Sequence, residues 1–549
     1  MVTSRKNSIY LNINIAASII TLALSPNINK DSLIIPKVIL LFVLALYLVP
    51  KLVFNLKIIM KTQQFKILAI ILFLIVVQLI IVFISSNAPF EQQLYGRTGR
   101  GLGFLTHISF LIIMLAAALF LGKSDLRITV KFLALCAAVT SVYSILQSFG
   151  TDFIKWDSRT NGVIGTLGNP NFQSSFAAMA LIPAIFTFWG SKYKYYFALG
   201  FTIIFTWTIY RTQSTQGYVS SLLAVCMFGT IILWYKNRLI AIVASLLSVG
   251  SGFIAILGML NFGPLKSYLY KISVQSRGDF WRSAMAMAND NPITGVGIDS
   301  FGDSYLKYRD SIAVSHPWAE YADNAHNYFL EYAATGGYPL LILHLILIIF
   351  ILHTFISTQK RLAKFDLDLS ILFTAWVVFQ AQSVISPGSI SMMLWNSIIS
   401  GAIIGYSVLI EKSTQSSITI NNNQDLTRPF SALLVIFGLI IYYPYFNTDR
   451  LQMLAMSTKN GDLVIQSAQK FPESVLRYTV IIRELLNSGL SQQALDVARS
   501  AVKFNPNSPN LWALILINPS APIDERQKAK GEILKLDPLN KEVVDYKLP

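Results

Sequence analysis

The stretch Ile67–Ser85, ILAIILFLIVVQLIIVFIS, carries no charge, and only Gln78 is polar before its closing serine. About 20 apolar residues let an α-helix cross the hydrocarbon of a bilayer. A lipid-embedded backbone must satisfy its own hydrogen bonds, so such a run reads as helix. Working outward, twelve more segments read the same way: 9–25, 33–50, 102–121, 128–149, 172–189, 195–210, 217–235, 239–260, 338–357, 369–387, 390–410 and 430–446. The expected fold is all-α: a polytopic membrane bundle of 12–13 helices with a large extracytoplasmic loop and a C-terminal helical-repeat domain.

Composition agrees. The 549 residues are 54% hydrophobic and 13% charged, whereas soluble domains carry about 25% charged residues. That excludes an ordinary soluble protein and a disordered one. Cys136 and Cys226 lie in apolar runs and suggest no disulfide framework. Arg5 and Lys6 precede the first apolar run without an obvious cleavage site, so that run reads as a transmembrane helix and not a leader.

The net charge of +16 admits two readings, a nucleic-acid binder or a membrane protein with basic cytoplasmic loops. Sorting decides it. With the N-terminus cytoplasmic, the cytoplasmic segments hold 18 basic and five acidic residues, net +13. The short outer loops come to +3, the loop 261–337 to −2 and the tail to +2. The asymmetry puts loop and tail outside and leaves no case for nucleic acid. The expected organisation is a transmembrane domain over 1–446 containing the outer loop 261–337, and an extracytoplasmic tail over 447–549.

In the tail, AQKFPES, AVKFNPNS and ILKLDPLN carry Pro472, Pro506 and Pro538 at intervals of 34 and 32 residues. A period of about 34 is that of tetratricopeptide repeats, whose helical hairpins stack to bury their apolar faces. Gly489, Ala494, Ala501 and Pro506 suit the middle unit; a generic helical hairpin is the plainer reading. A stacked tail offers a concave surface for a protein or glycan partner.

The outer loop is where chemistry concentrates. It contains SRGDFWRSAMAMANDNPITGVGIDSFGDSYLKYRD (276–310) and HPWAEYADNAHNYFLEYAATGGYPLL (316–341). Arg277 and Arg282 lie near the start of a short helix that Pro292 ends. Guanidinium groups suit phosphate because their planar fork donates paired hydrogen bonds and stays charged. His326 precedes span ten, and an imidazole there can take a proton from an attacking hydroxyl; the plainer reading is a histidine hydrogen-bonded at a helix entrance. Asp323, Asn324 and Asn327 flank it and suit orienting the ring or binding sugar hydroxyls.

Arg277 followed by Trp281, then NPITGVGIDSF, then DNAHNYFLEYAATGG, resembles the signature of the O-antigen ligase and O-antigen polymerase superfamily. YGRTGRGLGFLTHIS (95–109) and GTLGNPNFQSSFAAMALIPA (165–184) agree with it, so the resemblance spans roughly 90–410. It implies ten to fourteen spans, one large periplasmic loop and, in some members, a tetratricopeptide tail. It also implies metal-independent, inverting transfer of a glycan from an undecaprenyl-diphosphate donor to a hydroxyl on a glycan, lipid or protein, at the outer face of the cytoplasmic membrane. No cofactor is expected. The family's loop histidine falls on His326 and its loop arginine on Arg277, with Arg282 as an additional diphosphate contact. A family Ser-Arg-Gly after span seven is replaced here by YRTQSTQGYVSS, which puts Gln216 before Gly217 and leaves Arg211 to supply the charge.

Weaker candidates follow. Arg97 and Arg100 suit a phosphate or an acceptor, but interfacial snorkelling is the more ordinary expectation. Asn169 and Asn171 suit sugar binding or a helix N-cap equally. His107, His344 and His353 read as neutral histidines bonded between helices, and Trp281, Trp318, Tyr321, Tyr328 and Tyr332 as an interfacial belt. Within the transferase reading, a lipid-acceptor ligase, a repeat-unit polymerase and a protein O-oligosaccharyltransferase differ only in acceptor. The contrasting reading is a non-enzymatic lipid-glycan flippase. Transporters hold their polar sites near the midplane, whereas polarity here gathers in an outer loop.

Overall fold

The computed structural model describes residues 7–122, 124–152, 154, 156, 162–316, 321–362, 364–412, 424–458 and 461–548. Arg5, Lys6, Lys123 and Trp318 lie outside them. The protein is all-helical, with no strand among the described residues. Each of the thirteen apolar segments falls on a helix. In chain order the first nine are α1 (Asn7–Leu22), α2 (Ile35–Val53), α4 (Gln63–Ser85), α6 (Phe104–Phe120), α7 (Leu126–Ser148), α8 (Pro170–Thr187), α9 (Lys194–Thr212), α10 (Thr215–Lys236) and α11 (Arg238–Met259). The last four are α16 (Tyr328–Leu362), α17 (Leu367–Ser383), α18 (Ile390–Lys412) and α19 (Gln424–Thr458). Short helices α3 (Leu56–Lys61) and α5 (Phe90–Tyr95) join them. Among the described residues, eight of these helices are long and apolar enough to cross a membrane, and α1 and α6 are shorter apolar helices. The protein is a polytopic helical membrane protein.

The bundle core runs through nearly all of these helices, with Trp395, Phe373, Phe379 and Phe176 among its fully buried side chains. Small residues bring α18 against α6. A Cβ on Gly401 would stand 2.3 Å from the Met114 carbonyl oxygen, and one on Gly405 2.3 Å from that of Ala118. Glycines four residues apart allow this backbone approach, which dispersion then stabilises in lipid.

Contacts between helix ends fall into two sets. At one end Arg127 pairs with Asp368, Lys51 donates to Ser431, and Arg361 pairs with Glu411. At the other, Asp31 accepts from Gly99, Arg211 donates to the Ser148 carbonyl, and Gln216 donates to Ser386. The segments of the loop 261–337 join the second set.

That loop folds as α12 (Lys266–Leu269), α13 (Ile272–Asp290), α14 (Phe301–Tyr308) and α15 (Ser311–Val314). Phe280, Met287, Phe301, Tyr305, Ala325 and Ala334 give it a small core of its own. The turn after Pro292 docks on a break in α16 at Gly337, whose φ is +74°. Glycine adopts this left-handed region without penalty, and a Cβ there would press on the Ile293 carbonyl oxygen at 2.3 Å. Tyr338 N–H donates to Pro292 and Val296 N–H to Ala334, both at 2.8 Å. Gln78, the polar residue in the apolar run of α4, donates to the carbonyls of Ile293 at 2.6 Å and Gly336 at 3.0 Å. The loop is thus pinned to the bundle from below.

Residues 461–548 form α20 (Gly461–Gln469), α21 (Val475–Asn487), α22 (Ser491–Phe504), α23 (Pro509–Leu516), α24 (Ile523–Leu536) and α25 (Lys541–Asp545) around a separate apolar core. Gly489, at φ +77°, makes the turn between α21 and α22. This segment rests on the loop: Arg309 donates to both carboxylate oxygens of Asp537 at 2.9 and 2.8 Å. Asn505 reaches Asp303 at 3.3 Å, and Thr98 and Ser474 share a hydrogen bond of 2.8 Å.

Candidate active site

His326 stands one residue before the N-cap of α16. Asn327 is that cap, its side-chain oxygen accepting from the N–H groups of Phe329 at 3.0 Å and Leu330 at 3.1 Å. Ala325 is fully buried in the loop core, and its N–H donates to Glu331 at 2.6 Å. The chain then turns at His326 with φ +48°, an uncommon value for a residue with a Cβ. Asn324 holds the turn by accepting from the His326 N–H at 2.7 Å, and donates to Asp323 at 2.5 Å. The imidazole stacks on Phe280 of α13, and no hydrogen bond to either ring nitrogen is found among the described residues. Among the described residues the ring therefore lacks the protein hydrogen bond that a helix-entrance histidine would make.

His326 lines a cleft of about 410 Å³ together with Asp31, Lys37, Arg100, Asn169 and Asp323. Gly168, Phe172 and the turn Pro387–Ser389 complete it. Burial pushes the His326 pKa down, the nearby Arg277 charge pushes it further, and it settles at about 4 despite Asp323. The free imidazole is therefore neutral at physiological pH.

Arg277 sits one turn before Phe280 on α13. Its Nε donates to the Ile385 carbonyl at 3.0 Å and Nη1 to that of Ser273. Both partners are neutral, and burial lowers its pKa from the ordinary arginine value. Arg282 goes elsewhere. It pairs with Asp310 at 2.5 Å and Asp279 at 2.7 Å, ties α13 to the start of α15, and does not line the cleft. Arg211 likewise reaches the Ser148 carbonyl at 2.8 Å and braces the end of α7. Gln216 is buried and committed to Gln382 at 3.1 Å and Ser386 at 3.0 Å. Ser386 follows the residue whose carbonyl Arg277 grips, so Gln216 fixes the turn that anchors that arginine.

Arg97 and Arg100 depart from the snorkelling expectation. Their side chains are only 12% and 9% exposed. Arg97 pairs with Asp303 at 3.0 Å and donates to Tyr321 at 2.7 Å. Arg100 pairs with Asp299 and Glu331, both at 3.1 Å, and donates to the Asp323 carbonyl at 2.8 Å. Burial disfavours both charges, but the surrounding carboxylates outweigh it and raise both pKa values. A buried cation needs such partners. Asn169 caps α8, accepting from the Asn171 N–H at 2.8 Å while facing the cleft; Asn171 accepts from Ser214 at 2.7 Å. His107 contacts the Gly103 carbonyl at 3.0 Å, a bond to the start of its own helix and not one between helices. Tyr328 and Tyr332 bond to each other.

Sequence reasoning missed Lys37 and Asp31, both in the cleft. Lys37 lies inside the apolar segment 33–50, and only tertiary structure shows that it turns inward.

The fold and this cleft define a multi-pass helical membrane protein with a histidine- and arginine-bearing loop over one end of the bundle. Residues 200–345 match the family model described as O-antigen ligase. That stretch contains Arg211, Gln216, Arg277, Arg282, Asp323, Asn324, His326 and Asn327; Arg97, Arg100, Asn169 and Asn171 precede it. The match supports the O-antigen ligase superfamily and a membrane glycan-processing enzyme of ligase or polymerase type. No match is found among curated proteins.

Proposed function

We propose that the protein is a glycosyltransferase of O-antigen ligase type, acting at the outer face of the cytoplasmic membrane. It moves a glycan from undecaprenyl diphosphate to an acceptor hydroxyl in cell-surface polysaccharide synthesis. The observation that carries this reading is the unpaired, neutral His326 imidazole in a cleft beside the Arg277 charge, within the stretch that matches the family model.

His326 accepts the acceptor's hydroxyl proton as that oxygen bonds to the anomeric carbon. The C1–O bond to phosphate breaks, its electron pair leaves on undecaprenyl diphosphate, and a direct displacement inverts the anomeric centre. Arg277 offsets the charge that gathers on the leaving diphosphate. Donor binding brings negative charge to the cleft, which raises the histidine's pKa and strengthens the base when it is needed. Arginine charge takes the part of a divalent cation, so no metal is required. Arg282, Arg211 and Gln216 position the elements around the cleft. Asp323 and Asn324 hold the histidine turn, and Asn169 faces the acceptor's side.

The two sets of helix-end contacts support thirteen passes, with the loop 261–337 and the tail on one face. The charge asymmetry supports that face being extracytoplasmic. The tail is a tetratricopeptide-like unit that holds a protein or glycan partner near the loop.

The test is reconstitution in lipid with an undecaprenyl-diphosphate glycan and candidate acceptors: lipid A-core, repeat-unit chains and proteins. Expected is glycan transfer with release of undecaprenyl diphosphate, lost in His326→Ala while donor binding persists. Lipid movement across vesicles without transfer, or an unchanged rate in that variant, overturns the reading.

A further inference from the structure

Two cations, one lining the cleft and one near its His326, have no acid within ion-pair distance among the described residues. One is Arg277, half-buried near His326, whose bonds among the described residues go to carbonyls. The other is Lys37, in the first turn of α2, with a relative exposure of 2%. Its ammonium donates to the Thr166 carbonyl, and no carboxylate lies within ion-pair distance of it among the described residues. Asp31, on the same cleft wall, makes no ion pair with it: its oxygens accept from the N–H groups of Ile34 at 3.0 Å and Gly99 at 3.1 Å, and its charge reaches Lys37 only at longer range. Arg100, also in the cleft, has Asp299 and Glu331.

Three features work against a cation at Lys37. The site is buried, so the ion has lost its water. Its bonded partner among the described residues is neutral. The first turn of a helix is the positive end of its dipole. A snorkelling lysine would send its ammonium to the interface; this one turns into the cleft. A cation kept against its surroundings, facing a cavity, suits an anion that arrives from outside the chain.

We propose that Lys37 is a phosphate-binding residue and that, with Arg277, it holds the diphosphate group of the polyprenyl-linked donor. This rests on the transferase reading. A diphosphate diester carries two negative charges, which the two unpaired cations balance. The Thr166 carbonyl, on the turn before α8, keeps the ammonium oriented until the phosphate replaces or shares that bond.

The experiment measures binding of undecaprenyl diphosphate to the full-length protein in nanodiscs, with thermal unfolding of each variant as the folding control. Lys37→Arg keeps the charge, and Lys37→Gln keeps a donor for Thr166 without it. Lys37→Gln is expected to bind about tenfold to a hundredfold more weakly, the range for loss of a charge-assisted hydrogen bond. Lys37→Arg should stay nearer to the parent. Equal binding by parent and Lys37→Gln, or a Gln variant tighter than the Arg variant, overturns the proposal and assigns Lys37 a tethering role. Failure of the parent and of His326→Ala to bind undecaprenyl diphosphate at all overturns the transferase reading with it.

Discussion

The His326 ring lies against the ring of Phe280, centroids 5.6 Å apart and planes inclined by 28°. Phe280 is buried in the loop core, and Arg277 lies one turn before it on the same helix. One helix therefore sets both the face of the imidazole and the charge beside it. Phe280→Ala should lower kcat by about a hundredfold, the scale for slight misplacement of a reacting group, and leave the donor KM nearly unchanged. Steady-state transfer kinetics check this; equal loss in both parameters would point to a collapsed cleft.

The same histidine fixes a pH dependence. Burial and Arg277 hold its pKa at about 4, so the free enzyme carries the proton-accepting form well below neutrality. Its contribution to kcat/KM should stay flat from pH 8 to about pH 5 and fall below that, as protonation removes the lone pair. Replacing Arg277 by Gln takes away a depressing charge and should move the acid limb upward. An acid limb at pH 6.5 in the parent protein would contradict the assignment.

Arg100 joins the segment before α6 to Asp299 and Glu331 in the loop. Arg100→Ala leaves two buried carboxylates facing each other without their cation and should cost about 3–5 kcal/mol. Thermal unfolding in detergent reads it, and the triple variant with Asp299→Asn and Glu331→Gln should recover part of the loss.

At the close contact between α18 and α6, Gly405→Val places branched atoms against the Ala118 carbonyl. Overpacking of this kind costs about 1–3 kcal/mol or more. The drop should appear in thermal unfolding, while a Val in place of Gly190, which has open space around it, should change little.

Arg309 and Asp537 bind the loop to the tail through a nearly buried pair. A double-mutant cycle with Arg309→Ala and Asp537→Ala should show coupling of about 0.5–3 kcal/mol. Either single variant should speed proteolysis between the bundle and the tail. Additive effects would mean that the pair does not hold the tail in place.

What could be read in advance follows from the range of each signal. A span is written in about 20 consecutive residues, so the helices under all thirteen segments were legible, edges aside, and eight of them are long and apolar enough to cross a membrane among the described residues. The loop was legible because its charged residues interrupt an apolar chain. The fates of its arginines were not. Arg277 and Arg282 look alike in sequence, yet Asp310 draws Arg282 away while Arg277, among the described residues, bonds to carbonyls. Arg97 and Arg100 looked interfacial because Asp299, Asp303 and Glu331, which bury them, lie some 200 residues downstream. Lys37 depends on a cavity that five separated segments build.

The Arg309–Asp537 contact also has a meaning in time. Its partners are 228 residues apart, so at 5–20 residues per second the ribosome needs roughly 10–50 s to deliver the second after the first. Throughout that interval the nascent loop is held without the tail, by Gln78, the Gly337 break, the Arg97 and Arg100 ion pairs and its own small core. Those devices must then be sufficient for it to persist until the tail docks on it.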